Sequence, residues 1–193
     1  VGANGTGKTS MLRQSWQNQH PASAFSEAAS PAFFSQLHAE ILNEQNTIYE
    51  EFFAIGFEPR EQVEEHLRAY CFDPDSLGRK VGQLSGGEKN LLQLAKLAAG
   101  DANLLLLDEP SSHLDTFAQI ALEDAIAAYQ GAVLMVSHDF YTIVNCADTI
   151  LLAENGTIRP MRARAFRKMI YKKHFHKDYL ELELQKKDIE TRI

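Results

Sequence analysis

The chain of 193 residues is long enough for one domain with a sizeable hydrophobic core. Its 45% hydrophobic and 23% charged residues are typical of a globular protein, and no apolar run approaches the roughly 18 residues that cross a bilayer. There is no secretory signal, and the two cysteines lie far apart without metal-ligand spacing, which favours a reducing cytosol.

The first predicted element is a phosphate-binding loop, which comprises Gly2, Ala3, Asn4, Gly5, Thr6, Gly7, Lys8 and Thr9. Its glycines let the backbone curl, so that N–H groups point at phosphates, and a helix predicted from Lys8 to about His20 adds its positive end. Lys8 would reach the β- and γ-phosphates, and the Thr9 hydroxyl would ligate Mg²⁺. Such a loop follows a buried strand, so we expect an N-terminally truncated fragment.

A short strand and a helical segment come next. The predicted strand Ala32–Ser35 leads to Gln36, whose amide could contact Mg²⁺ and an attacking water. A helical subdomain is predicted over about residues 41–82, because apolar residues there recur at helical spacing. Examples are Val63, Leu67 and Tyr70.

A second glycine-rich turn, Ser85–Gly87, precedes a helix that is predicted over Asn90–Ala99 and ends at Gly100. Two interpretations are open. The turn is either an ordinary helix cap or an anion site formed by its N–H groups and the serine hydroxyl. Because residues 2–9 already bind one triphosphate, the anion site implies that Ser85, Gly86 and Gly87 contact the γ-phosphate bound by a different nucleotide domain.

The apolar run Leu104–Leu107 predicts a central parallel strand that is covered on both faces. Asp108 and Glu109 follow it, at the end of the sheet where ligands of open α/β folds bind. Asp108 would hold Mg²⁺, and Glu109 would act as the general base that polarises water. The alternative is a pair of acids that caps the next helix or stays solvated.

A helix over Phe117–Tyr129 and a strand over Ala132–Val136 complete a strand–helix–strand unit, which implies a parallel sheet with a right-handed crossover. His138 follows that strand. A neutral imidazole there can hydrogen-bond a γ-phosphate and hold a water near Glu109, although a lone histidine is more often structural.

The last part of the chain is predicted to form an Asn-Gly hairpin between residues 149 and 159, followed by helices over 163–176 and 179–192. The predicted core, residues 1–158, has eight Lys and Arg against 21 Asp and Glu. The tail, residues 159–193, has 11 against five. This asymmetry favours a tail that binds a polyanion, with a solvated helix face as the alternative.

Together these motifs resemble the ATP-binding cassette family, and within it the ABC-F branch of soluble, translation-linked ATPases. The resemblance to the branch lies in three segments: LSGGEKNLLQLA at 84–95, LDEPSSHLD at 107–115 and SHD at 137–139. It implies an α/β fold: a P-loop NTPase cassette with a parallel-sheet core and a helical subdomain. ATP and Mg²⁺ would be bound.

The resemblance also implies roles for individual residues. Gln36 would be the Q-loop residue, Ser85–Glu88 the signature, Asp115 the D-loop aspartate beside the nucleotide and His138 the switch histidine. One departure is that ABC-F chains typically read Thr-Asn-His-Leu-Asp, where Ser111 and Ser112 fill the first two places here. Both residues are small and polar, so we expect little effect on catalysis.

The segment 138–146 (HDFYTIVNC), with Met169–Tyr171 and His174–Phe175, is similar to the second cassette of antibiotic-resistance ABC-F proteins. The similarity is closest to the group linked to lincosamides, streptogramins A and pleuromutilins. It implies two partners: a second cassette, normally in the same polypeptide, and the ribosome. The alternative function is the ATP-hydrolysing subunit of a membrane ABC transporter.

Overall fold

The structure is a computed structural model that describes residues 1–2, 5–17, 25–35, 37–112, 114–154 and 156–174. Within these ranges the chain forms seven α-helices and five β-strands. The helices are α1 (Lys8–Trp16), α2 (Ile48–Phe53), α3 (Arg60–Arg68), α4 (Gly86–Ala99), α5 (Thr116–Ala128), α6 (Phe140–Cys146) and α7 (Ala163–His174). The strands are β1 (Pro31–Phe34), β2 (Leu104–Asp108), β3 (Ala132–Val136), β4 (Thr149–Glu154) and β5 (Thr157–Arg162).

The central sheet is parallel and has the order β1-β2-β3, which confirms the predicted central position of the leucine strand. Successive side chains of β2 point to opposite faces, and both faces are covered. Leu105 and Leu107 belong to the main core with Phe34, whereas Leu106 packs with Leu12 of α1. This two-sided burial is why the strand is apolar throughout.

Helix α4 begins at Gly86, four residues before the predicted start at Asn90. The reason is a capping box, in which the Ser85 hydroxyl accepts from the Glu88 N–H and the Glu88 carboxylate accepts from the Ser85 N–H. This cap offsets the low helix propensity of two glycines. Helix α4 does end at Gly100, but in an extended rather than a left-handed conformation, with φ at −83°.

The predicted helical segment contains α2, α3 and short 3₁₀ turns, and its apolar side chains join the main core. It is also attached to α4 by an ion pair, since the Lys96 ammonium lies 2.5 Å from the buried carboxylate of Glu51. The division of the chain into a core and a helical subdomain remains a proposal.

The hairpin of β4 and β5 is antiparallel, as predicted, although Asn155 of its turn lies outside the described residues. Strand β5 continues through the proposed boundary at residue 158 to Arg162. Phe166 of α7 is buried with Ile143 and Ile150, so the start of the basic tail packs onto the hairpin and α6. The helix predicted over 179–192 also lies outside the described residues. Helix α1 ends at Trp16 rather than near His20, and residues 18–24 are not described.

Candidate active site

The phosphate loop takes its shape from glycines where other residues would be strained or would clash. Gly7 has a φ of 80° and is the N-cap of α1, where its carbonyl accepts from the Met11 N–H at 2.8 Å. Gly2 packs so closely on β4 that a Cβ would lie 2.5 Å from the Ala153 carbonyl oxygen. Two predicted loop residues, Ala3 and Asn4, lie outside the described residues.

Two polar side chains of α1 are directed at the loop and at the end of β2. The Lys8 ammonium donates to the Gly2 carbonyl at 2.9 Å, and the Thr9 hydroxyl donates to Asp108 Oδ1 at 3.0 Å. Asp108 is buried, and this burial raises the pKa of its carboxyl group, with the Thr9 hydrogen bond and the positive charges of Arg13 and Lys8 opposing the shift. Carboxylate and hydroxyl oxygens are ligands that Mg²⁺ prefers.

Glu109 and His138 meet where β2 and β3 end. The Glu109 Oε2 atom lies 2.8 Å from His138 Nδ1 and accepts from the His138 backbone N–H at 3.2 Å. The Glu109 backbone is in the left-handed region, with φ at 50°, and its N–H donates to the Val136 carbonyl at 2.8 Å. For a non-glycine residue this conformation costs about 1–2 kcal/mol, and such strain clusters at functional sites.

These elements share an open cavity of about 590 Å³, which is within the range of ligand sites. The lining residues are Gly5, Gly7, Lys8, Thr9, Ser10, Glu109, Ser112 and His138. The structure therefore brings together the described part of the phosphate loop, the predicted base and the predicted histidine. Loop N–H groups, an ammonium and hard oxygen donors fit a triphosphate with Mg²⁺. Ser10 and Ser112 also line the cavity, although neither was predicted as a site residue. The only signal in the sequence was that Ser10 directly follows Thr9 and that Ser112 lies three residues after Glu109.

Other predicted site residues lie elsewhere. Ser85, Gly86 and Gly87 are not among the described residues that line this cavity, and Ser85 caps α4. Within that cap its oxygen is an acceptor, so the hydroxyl hydrogen can still be donated to a phosphate. Asp115 is exposed and caps α5 by accepting from the Ala118 N–H at 2.8 Å. Gln36 lies outside the described residues.

Comparison with known proteins agrees with this geometry. A family model described as "ABC transporter" matches residues 1–112. ABC transporter F family member 5 of Arabidopsis thaliana is 35% identical over 163 residues, which are 82% of this chain and 24% of the relative. Erythromycin resistance ATP-binding protein MsrA of Staphylococcus epidermidis is 31% identical over 94% of this chain and 33% of its own length.

A similar solved structure comes from a complex of the archaeal ribosomal stalk protein aP1 with the archaeal ribosome recycling factor aABCE1. The TM-score is 0.70 at 27% identity, and the match covers 88% of this chain and 35% of the other. The chain spans about a quarter of the length of the first curated relatives that it matches. In the described ranges, no helix is both long and apolar enough to span a bilayer. The chain belongs to the ABC transporter family and is an α/β ATPase domain of that family.

Proposed function

We propose that this chain is the second ATP-binding cassette of an ABC-F protein that hydrolyses ATP in the cytoplasm and acts on the ribosome. The main support for a hydrolytic site is the 2.8 Å contact between Glu109 Oε2 and His138 Nδ1, in the same cavity as Lys8 and Thr9. It supports a carboxylate base that is aimed at the position where a terminal phosphate would lie.

Each residue of the cavity has a role in this proposal. The loop N–H groups and Lys8 bind the β- and γ-phosphates, while Thr9 and Asp108, with Gln36, would hold Mg²⁺. The metal would neutralise charge that develops on the phosphate oxygens. Glu109 takes a proton from the attacking water.

His138 keeps the Glu109 carboxylate in place. Its Nδ1 faces the carboxylate and must carry a hydrogen to donate there. A neutral ring then has only an acceptor at Nε2, so in this arrangement His138 acts on the Glu109 carboxylate, and the predicted hydrogen bond from a neutral imidazole to a γ-phosphate would need the hydrogen on Nε2 instead.

The proposal requires a second cassette. The Ser85–Gly87 turn is outside the cavity of its own chain, and a helix N-terminus with a serine hydroxyl suits an anion. We infer that this turn contacts the γ-phosphate bound by the other cassette, that Asp115 lies near it, and that two cassettes enclose two ATP molecules. A single cassette should therefore hydrolyse ATP poorly.

The ribosomal part of the proposal is supported by charge and by relatives. Arg162, Arg164, Arg167 and Lys168 are exposed, while Phe166 between them is buried and anchors α7. One relative is named for erythromycin resistance, and a similar structure is a ribosome recycling factor. We propose that the whole protein displaces antibiotics of the lincosamide, streptogramin A or pleuromutilin type.

A salt titration of ribosome binding tests this tail. The full-length protein with Arg162, Arg164, Arg167 and Lys168 changed to Ala should bind more weakly at low salt. Affinity falls as salt rises, and each lost phosphate contact makes the line of log affinity against log salt shallower by about 0.7–0.9. The magnitude of the slope should therefore decrease by about 3 in this variant. A control in which Arg60 and Arg68, exposed on α3, are changed to Ala should keep the wild-type salt dependence. Salt-insensitive binding, or an equal slope in both variants, would contradict a polyanion-binding tail.

The antibiotic part needs a separate experiment. Cells that express the full-length protein should tolerate higher concentrations of at least one of the three drug classes, and Glu109→Gln should abolish that gain. Erythromycin belongs in the same panel because of the name of one relative. Growth that is equally inhibited with and without the wild-type protein would refute drug displacement while leaving ATP hydrolysis untouched.

One observation favours a transporter subunit as the second candidate. Leu37, Phe53 and Ile55, in and beside the helical segment, are 60%, 53% and 41% exposed, and such apolar side chains suit a partner protein. Purification of the tagged full-length protein from cells distinguishes the two functions. Ribosomal proteins should co-purify under our proposal, and an integral membrane protein under the alternative.

A further inference from the structure

We propose that Asn90 is a positioning residue, which links the Ser85–Gly87 turn to the backbone that follows Glu109. This inference rests on the proposed hydrolysis of ATP, because it concerns the placement of the general base. Asn90 is only 5% exposed and lies among leucines on α4, where a polar side chain is costly unless every polar atom is hydrogen-bonded.

The Asn90 amide is fully hydrogen-bonded by two segments of the chain. Its Nδ2 donates to the Pro110 carbonyl at 3.2 Å and to the Ser112 carbonyl at 2.8 Å. Its Oδ1 lies 2.6 Å from His38 Nε2. One amide therefore joins α4, the segment after Glu109 and the segment after β1.

The two carbonyls fix the orientation of the amide. Since carbonyl oxygens only accept, they must face the Asn90 NH₂ group, so Oδ1 must face His38. Oδ1 is itself an acceptor, and His38 Nε2 therefore carries a hydrogen and donates it. His38 lies four residues after the end of β1, so the hydrogen bonds of Asn90 also reach the segment that follows this strand.

The position of Asn90 on α4 indicates what its hydrogen bonds do. It lies five residues after Ser85 on the same helix, a distance of about 7–8 Å at 1.5 Å per residue. Pro110 immediately follows Glu109. A helix moves as a rigid unit, so a shift of the Ser85–Gly87 turn against a phosphate would move the Pro110 carbonyl and reorient Glu109. Contact of the Ser85–Gly87 turn with the ATP bound by the other cassette would in this way position Glu109 at the ATP bound by this cassette.

Steady-state kinetics of the full-length protein test the link. Asn90→Ala should lower kcat about tenfold, because two hydrogen bonds that place the segment after Glu109 are lost. The affinity for ATP should stay within about twofold, because the phosphate loop is not touched. His38→Gln should retain most of the activity, since its amide N–H can replace Nε2–H, whereas His38→Ala should not.

Gln93→Leu is the matched control. Gln93 lies on the same helix and is buried as well, but its amide has no hydrogen-bond partner in the described structure. The control should leave kcat unchanged. Equal losses of kcat in the Asn90 and Gln93 variants, or a parallel loss of ATP affinity and kcat in Asn90→Ala, would overturn a specific positioning role.

A measurement without turnover separates this inference from the proposed function. In wild-type protein, saturating ATP should slow amide hydrogen exchange in residues 109–112, where Glu109, Ser111 and Ser112 carry an N–H, and Asn90→Ala should abolish that protection while ATP still binds. If residues 109–112 stay protected in the variant, the inference is wrong even if ATP is hydrolysed. If wild-type protein binds ATP without hydrolysing it, the proposed function is wrong, and so is the role of Asn90 in placing a base.

Discussion

Replacing Glu109 by Gln exchanges one carboxylate oxygen for an amide nitrogen and keeps the length of the side chain. The remaining oxygen can still accept from the His138 backbone N–H, which lies 3.2 Å from Oε2 in this structure. The left-handed backbone at residue 109 should also persist, so the shape of the cavity should change little. What disappears is the basic group that takes the proton of the attacking water.

Loss of a general base typically lowers the rate by 10²–10⁴-fold, which corresponds to about 3–5 kcal/mol in the activation free energy. We therefore expect the full-length Glu109→Gln protein to release phosphate at least about 100-fold more slowly at saturating ATP. ATP affinity should remain within about twofold, since Lys8 and the loop are unchanged. If the proposed action on the ribosome is correct, the variant should also stay bound to ribosomes in a closed state.

Phosphate release and equilibrium binding of labelled ATP are the two measurements required. Glu61→Gln, at an exposed position on α3, is the control that should hydrolyse ATP normally. Hydrolysis by Glu109→Gln at the wild-type rate would refute the assignment of the base. Loss of ATP binding in the same variant would mean that Glu109 holds the nucleotide rather than activating water.

Four further predictions concern stability and reactivity. Gln93→Leu should raise the free energy of unfolding by about 1 kcal/mol in a urea titration, because it removes a buried amide that hydrogen-bonds to none of the described residues. Glu51→Gln should lower the free energy of unfolding by about 3 kcal/mol, since the change leaves the Lys96 charge unpaired. Glu64→Gln, in the more exposed pair with Arg60, should change the free energy of unfolding by less than about 1 kcal/mol. Burial alone would raise the pKa of Glu88, but hydrogen bonds from Arg79 and Ser85 lower this pKa overall. The stability that Glu88 contributes is therefore present above about pH 4.3 and is lost as the pH falls through the lowered pKa. Glu88→Gln should make the fall of stability in acid less steep. Burial, with the nearby charges of Glu123 and Asp124, raises the pKa of the Cys146 thiol to about 12. A maleimide should therefore label the exposed Cys71 first. Equal labelling rates for the two cysteines would contradict the burial of Cys146.

Local patterns were sufficient to predict the framework of the fold. The run Leu104–Leu107 predicted a strand buried on both faces, and the chain indeed passes from it through α5 to a parallel neighbour. The Asn-Gly pair predicted the hairpin of β4 and β5. These features depend on residues close in sequence, so their chemistry can be read directly from the chain.

Features that depend on distant contacts could not be predicted. The start of α4 at Gly86 is a different case, because the capping box of Ser85 and Glu88 is local and its Ser-x-x-Glu spacing, which the predicted start at Asn90 left out, is present in the sequence. The link from Asn90 to Pro110, Ser112 and His38 joins residues up to 52 positions apart. The left-handed φ of Glu109 is likewise a result of how β2 and β3 end together, and no local pattern signals it.

A structure of the full-length protein with ATP and Mg²⁺, carrying Glu109→Gln to prevent turnover, tests the shared active site most directly. We predict that the Ser85 hydroxyl and the N–H groups of Gly86 and Gly87 lie about 3 Å from the γ-phosphate bound by the other cassette. If both cassettes hold ATP in a closed dimer and the Ser85–Gly87 turn faces no phosphate, the proposal that each ATP is bound between two cassettes is wrong.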